Sequence, residues 1–175
     1  MAYTDWTEIV ETTILEKSKL SILEFGLGDG TKYLVDNFKK VYSYEIIDDA
    51  DPTLVEWGTE CVQKLSEYNN WEYEITKYSE IDFVDYDIKL SRKLLKRIDE
   101  LFAKYKFEAV LIDGGYHVRG DIANYILNKF SPDYVIIHDT NFNYEVDGYG
   151  RINLPKNYST VKYTEGEGTH IFVKL

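Results

Sequence analysis

The chain is poor in the residues that cross-link, bind polyanions or anchor in lipid. It has a single cysteine, Cys61, which cannot form an internal disulfide and falls on an apolar helix face, so it reads as a core residue in a reducing compartment. Basic side chains are in deficit, with 20 Lys and Arg against 31 Asp and Glu and a formal net charge of −11. That balance repels nucleic acid backbones and anionic membrane surfaces and disfavours both as partners. No run is apolar enough to span a bilayer. Met1 to Leu20 carries Asp5, Glu8, Glu11 and Glu16 where a signal peptide would be basic and then apolar, so a cytoplasmic protein is expected. There are no internal repeats and no low-complexity linker. A length of 175 residues suits one hydrophobic core, and residues 1–175 are expected to form one domain. Sixteen tyrosines is a heavy usage, but tyrosine serves cores, surfaces and binding sites alike.

What is present is organised around Ser21-Ile22-Leu23-Glu24-Phe25-Gly26-Leu27-Gly28-Asp29-Gly30-Thr31. A short apolar run enters three glycines at alternate positions, and a helix-compatible segment to Phe38 follows, which predicts strand, tight turn and helix start. Such a turn lets the backbone take positive φ and approach a ligand, while N–H groups opening the helix face polar or anionic groups. The next segment, Lys40 to Asp48, reads as a second strand. It places Glu45 about 20 residues past the turn, where a carboxylate can accept from both hydroxyls of a ribose.

The remaining elements follow from periodicity. Trp6, Ile9, Val10 and Ile14 share one helix face, with Asp5 and Glu8 as a capping box, giving an N-terminal helix within residues 1–18. Leu54, Cys61, Val62 and Leu65 mark a helix after Asp51-Pro52, and Trp71 to Thr76 alternates as a strand ending at Lys77-Tyr78-Ser79-Glu80. Leu90, Leu94, Leu95, Ile98, Leu101 and Phe102 form another helix. Phe107 to Ile112 and Tyr134 to His138 read as buried parallel strands, each followed by an acid, Asp113 and Asp139. Between them a helix carries Val118, Ile122, Ile126 and Phe130, and Arg119 there reads as a solvated charge in preference to a contact for an acidic substrate group. Residues 140–157 lack periodicity and are the candidate substrate loop. Ser159 to Tyr163 and Thr169 to Leu175 predict a terminal hairpin. The expected fold is α/β, Rossmann-like and doubly wound, with a mostly parallel seven-stranded sheet closed by a C-terminal antiparallel hairpin.

From about Leu20 onward, these residues resemble the class I methyltransferases that use S-adenosylmethionine. Glu24 to Gly30 is similar to the family's first motif, Glu45 to its ribose-binding acid, and the hairpin to its last strands. The resemblance implies a cofactor-binding set of Glu24, Gly26, Gly28, Gly30, Thr31, Glu45, Ile46, Tyr78, Ser79 and Asp113. In that set the glycine loop holds the methionine part, and Tyr78 or Ser79 sits by the adenine. A narrower similarity covers Ile112-Asp113-Gly114-Gly115-Tyr116-His117 with Asp121, and Ile136-Ile137-His138-Asp139. This resembles the metal-dependent sugar O-methyltransferases and the related cephalosporin hydroxylase-like group. It implies that Asp113 and Asp139 bind metal and that Asp113 and His117 are catalytic, with His117 as base. His138 stands where an acid often precedes the last Asp and reads as a packed histidine, which leaves the third ligand open.

Methyl transfer from a sulfonium needs the acceptor oxygen in line with the methyl, and a metal or base makes a hydroxyl a far better nucleophile. Two carboxylates on neighbouring strands repel unless a cation, a basic group or a proton intervenes. With only Arg119 and Arg151 near, the sequence favours a metal, and the oxygen ligands favour Mg²⁺ or Mn²⁺ over Zn²⁺. The expected cofactor is S-adenosylmethionine, with Mg²⁺ as a candidate addition, and the expected partner is a small-molecule or saccharide acceptor. A homo-oligomer stays open. The competing readings are an aminopropyl transferase, which shares Gly-Asp-Gly in the first loop, and a catalytically inactive cofactor-binding subunit. A nicotinamide oxidoreductase fits less well, because the glycine spacing differs and no Tyr-x-x-x-Lys pair exists.

Overall fold

A computed structural model describes residues 6–81, 90–114, 118–141 and 148–175. Parallel strands alternate with helices: α1 (Trp6–Thr13), β1 (Ser21–Phe25), α2 (Asp29–Asn37), β2 (Lys40–Ile47), α3 (Pro52–Leu65), β3 (Trp71–Lys77), α4 (Arg92–Lys104), β4 (Ala109–Ile112), α5 (Arg119–Lys129) and β5 (Tyr134–His138). The antiparallel pair β6 (Tyr158–Tyr163) and β7 (Thr169–Lys174) ends the chain. The seven strands form one sheet in the order β3-β2-β1-β4-β5-β7-β6. β7 inserts antiparallel between β5 and the edge strand β6.

Apolar residues fill both faces of the sheet. Ile22, Leu34, Val35, Cys61 and Leu111 pack on the side of α1, α2 and α3. Leu23, Phe25, Leu94, Ile98, Val110, Ile112, Ile122 and Ile126 pack on the side of α4 and α5. Every residue of β4 is buried, as a central parallel strand requires. Local signals set the helix starts: Asp51 caps α3 by accepting from Thr53 N–H at 2.9 Å with Pro52 at the first helical position, and Ser91 Oγ accepts from Leu94 N–H at 3.0 Å to start α4.

The N-terminal helix is shorter than the sequence suggests. It ends at Thr13, and a 3₁₀ turn at Lys17–Lys19 leads into β1. Its proposed cap, Asp5, lies outside the described residues. The helix packs on the sheet layer through Trp6, Ile9 and Val10. Among the described residues no helix is long and apolar enough to cross a membrane.

Candidate active site

β1 connects to β2 on one side and pairs with β4 on the other, so the chain reverses its winding direction between β1 and β4. In open α/β sheets the crevice at such a reversal is where ligands bind. The backbones of the two loops touch there. Gly26 has φ +126°, which favours glycine, and a Cβ on it would lie 3.1 Å from Gly114 N. A Cβ on Gly114 would lie 2.9 Å from Gly26 Cα, so this contact needs glycine on both sides. Asp113 N–H donates to Phe25 O at 2.9 Å and fixes the acid beside the glycine turn.

Above this contact opens a cavity of about 730 Å³, a size suited to a nucleoside cofactor. The glycine turn, Glu45, Ile46, Tyr78, Asp113, His138 and Asp139 line it. Glu24 lies beneath the turn, where Thr31 Oγ donates to Oε1 at 3.0 Å and Ser43 Oγ donates to Oε2 at 2.5 Å. Thr31 Oγ also accepts from Gly28 N–H at 3.0 Å, tying the loop to the strand below it. Glu45 Oε1 accepts from Ile46 N–H at 3.0 Å. Burial pushes the carboxyls of Glu24 and Glu45 up to about 8 against their hydrogen bonds, and the negative charge of Asp113 adds to the rise in both.

The third group stands at the ends of β4 and β5. Asp113, His138 and Asp139 offer ligand atoms that all lie within 4.8 Å of one another. His138 is 3% exposed, and its Nδ1 is 2.9 Å from Asp113 Oδ1 and 3.3 Å from Asp139 Oδ1. Asp139 takes the left-handed conformation, φ +60°, uncommon for a side-chain-bearing residue and frequent at functional sites. Arg119, 4% exposed at the start of α5, pairs with Asp139 Oδ2. Burial alone would weaken the guanidinium's hold on its proton, and Tyr149, Asp139 and Asp113 outweigh it, so Arg119 stays charged. Tyr149 OH donates to His138 O at 3.2 Å and helps hold the strand end.

Several sequence expectations change here. Arg119 is a buried partner of Asp139 and not a solvated charge, so a basic group already answers part of the repulsion that argued for a metal. Arg151 is spoken for as well, by Asp121 Oδ2 at 2.6 Å. His138 is packed as expected, and it also supplies the nitrogen in the cluster whose third member the sequence left open. Of the three alternate glycines only Gly26 has positive φ. Gly28 is extended at φ −173°, and Gly30, though it reaches the cavity, has its missing Cβ matched to Trp6, whose Cζ2 would be 2.8 Å away. Thr31 is buried against Glu24. Ser79 turns to Asp49, donating from Oγ to Oδ2 at 2.8 Å, whereas Tyr78 faces the cavity.

Of residues 140–157, expected from the sequence as a candidate substrate loop, the structure describes 140–141 and 148–157. Gly148 packs closely on α5, where a Cβ on Gly120 would lie 2.3 Å from Gly148 C, and residues 142–147 lie outside the described residues. So does His117, the expected base. Gly114 and Glu167, which also line the cavity, were absent from the expected site. Gly114 stood in the Asp113-Gly114 motif, whereas Glu167 gave no signal beyond its place in a hairpin turn.

No protein-family model matches the chain, and no curated protein matches it. Solved structures do. The chain is similar to the O-methyltransferase TomG from Streptomyces achromogenes, involved in tomaymycin synthesis and solved with S-adenosylmethionine, at TM-score 0.66 and 12% identity over 99% of this chain and 81% of that one. An O-methyltransferase from Bacillus cereus in complex with S-adenosylhomocysteine matches at TM-score 0.66 and 12% identity over 100% and 83%. The S-adenosylhomocysteine-bound methyltransferase PaMTH1 from Podospora anserina matches at TM-score 0.64 and 10% identity over 100% and 80%. With its strand order and reversed terminal hairpin, the chain shares the Rossmann-like α/β fold of these methyltransferases.

Proposed function

We propose that the protein is an S-adenosylmethionine-dependent methyltransferase that methylates a hydroxyl of a saccharide or another small molecule. The observation that carries this reading is the convergence, in one cavity at the carboxyl edge of the parallel strands, of the Gly26 turn, Glu45 and the Asp113, His138 and Asp139 group. The neighbours solved with S-adenosylmethionine or its demethylated product support it through their shared fold.

The cofactor supplies an electrophilic methyl on a sulfonium. This chain's part is to hold, orient and shield. Glu45, once ionised, would accept from two ribose hydroxyls, and the Gly26–Gly114 contact would let the backbone approach the ligand without side chains between them. The buried strand ends beneath keep water from that side. Asp113 orients the His138 ring at the acceptor end, and Arg119 fixes Asp139.

Asp113, His138 and Asp139 fit a divalent cation by donor type and spacing, and their two carboxylates with one guanidinium leave a net negative charge to attract it. A cation there would lower the proton affinity of an acceptor hydroxyl. The imidazole nitrogen shifts the preference from Mg²⁺ toward Mn²⁺. His117 is the proposed proton acceptor.

The test is transfer of a labelled methyl group from S-adenosylmethionine to a panel of saccharides and catechols, with and without chelator. Transfer lost with Asp113→Asn and with chelator supports the full reading. Full transfer in excess chelator removes the cation. Cofactor binding with no transfer to any hydroxyl leaves a cofactor-binding subunit. One observation favours a second reading: six carboxylates, Glu24, Asp29, Glu45, Asp113, Asp139 and Glu167, line the cavity, which also suits a cationic amine acceptor as in aminopropyl transfer. Preference for decarboxylated S-adenosylmethionine would select it.

A further inference from the structure

The cavity that Glu45 lines is also bordered by α3, which the sequence marks only as a crossover helix. Thr53, Leu54 and Trp57 face the cavity from its first two turns. Trp57 is 41% exposed, whereas the other two tryptophans, Trp6 and Trp71, are 0% and 9% exposed. Its six-membered ring lies against the glycine turn, for a Cβ on Gly28 would come within 3.2 Å of Trp57 Cζ2 and 3.5 Å of Cη2.

The backbone of Gly28 is extended, a conformation any residue adopts, so its conformation does not require glycine. What the missing side chain provides is room for the indole. A large aromatic ring left half in water at the mouth of a concave site, with the backbone opposite cut back to admit it, is built to cover something. The same cavity is lined by Glu45, the carboxylate proposed for a ribose, and by further acids suited to a cation. An indole complements both a nucleoside's flat surfaces and a sulfonium's positive charge.

We infer that Trp57 is a ligand-binding residue that covers the S-adenosyl group where it passes Gly28. The inference rests on the proposed cofactor and adds a residue that neither the glycine motif nor the ribose acid reveals. Its substitution therefore weakens cofactor binding without touching the core, because the indole is not part of either buried cluster.

Calorimetry and acrylamide quenching of tryptophan emission test this together, on the full chain with S-adenosylhomocysteine as probe. Trp57→Ala is expected to bind about tenfold more weakly with an unchanged far-ultraviolet spectrum, and Trp57→Phe to recover part of the loss. Ligand should protect the wild-type emission from acrylamide. It should leave the quenching of Trp57→Phe unaltered, because only the buried Trp6 and Trp71 emit there. Wild-type binding matched by Trp57→Ala, with quenching indifferent to ligand, overturns the inference and leaves the cofactor reading standing. A wild-type protein that binds no S-adenosylhomocysteine overturns both.

Discussion

Arg119, in the first turn of α5, forms a buried ion pair with Asp139, the residue that leaves β5 in the left-handed conformation. Removing one partner of such a pair leaves the other charge uncompensated. Arg119→Met is therefore expected to lower unfolding stability by about 3 kcal/mol, at the lower end for buried pairs because Asp139 keeps some contact with water. The double variant Arg119→Met with Asp139→Asn should recover part of it. Urea unfolding of the three variants measures this, and an additive double variant would mean that the pair is not coupled.

Gly30→Ala separates packing from ligand contact. The added methyl meets Trp6 Cζ2 at 2.8 Å, and Trp6 is fully buried and has nowhere to move. A loss of about 1 to 3 kcal/mol in stability is expected, the usual result of overpacking. Cofactor affinity of the folded fraction should change little. Thermal melts paired with calorimetry distinguish the two effects, and lost affinity at unchanged stability would return Gly30 to the binding loop.

How much of this was legible in the sequence depended on how local the cause was. The strands and helices follow from periodicities and caps carried within each segment, and their boundaries hold to a few residues. That Glu45 lines the cavity beside the glycine turn was legible because its distance from the turn reflects one strand–helix–strand unit. Arg119 was misread because its burial depends on Asp139, a partner supplied by a different strand, and one arginine at a helix start looks the same in either setting. Gly30 lines the cavity as expected of the glycine turn, but its contact with Trp6 was not legible, because that side chain comes from α1, more than twenty residues earlier in the chain. Trp57 gave no signal, since a tryptophan on an amphipathic helix reads as core until the cavity beside it is seen.

Stability should fall as pH rises from about 5 to about 8. Burial first, and then repulsion from Asp113, raise the Glu24 and Glu45 carboxyls from 4.5 to about 8, so the folded state keeps protons that the unfolded chain releases. Their contribution is complete below about 4.5 and is lost as pH climbs through about 8. His170, whose imidazole is held below its ordinary 6.5 by burial, works in the opposite direction in the lower part of that range. Melting temperature against pH, compared for wild type and Glu24→Gln, reads the effect. The variant should show the flatter curve, and equal slopes would place the titrating groups elsewhere.

The same carboxyls predict that cofactor affinity moves against stability. Glu45 accepts from both ribose hydroxyls only when ionised, and a sulfonium favours ionised acids around it, so binding of S-adenosylmethionine should tighten from pH 6.5 to 8.5 by up to about tenfold. Calorimetry across that range gives the trend. Affinity that falls with pH would contradict the role given to Glu45.

Titration of the wild-type protein and Glu45→Ala with S-adenosylmethionine, beside NAD as a control, decides whether this cavity is a cofactor site. One site per chain is expected for S-adenosylmethionine, with no binding of NAD and an affinity lower by an order of magnitude or more in the variant, from the loss of about two hydrogen bonds to a charged acceptor. A wild-type protein that ignores S-adenosylmethionine, or a Glu45→Ala variant that binds it as tightly, would contradict that assignment.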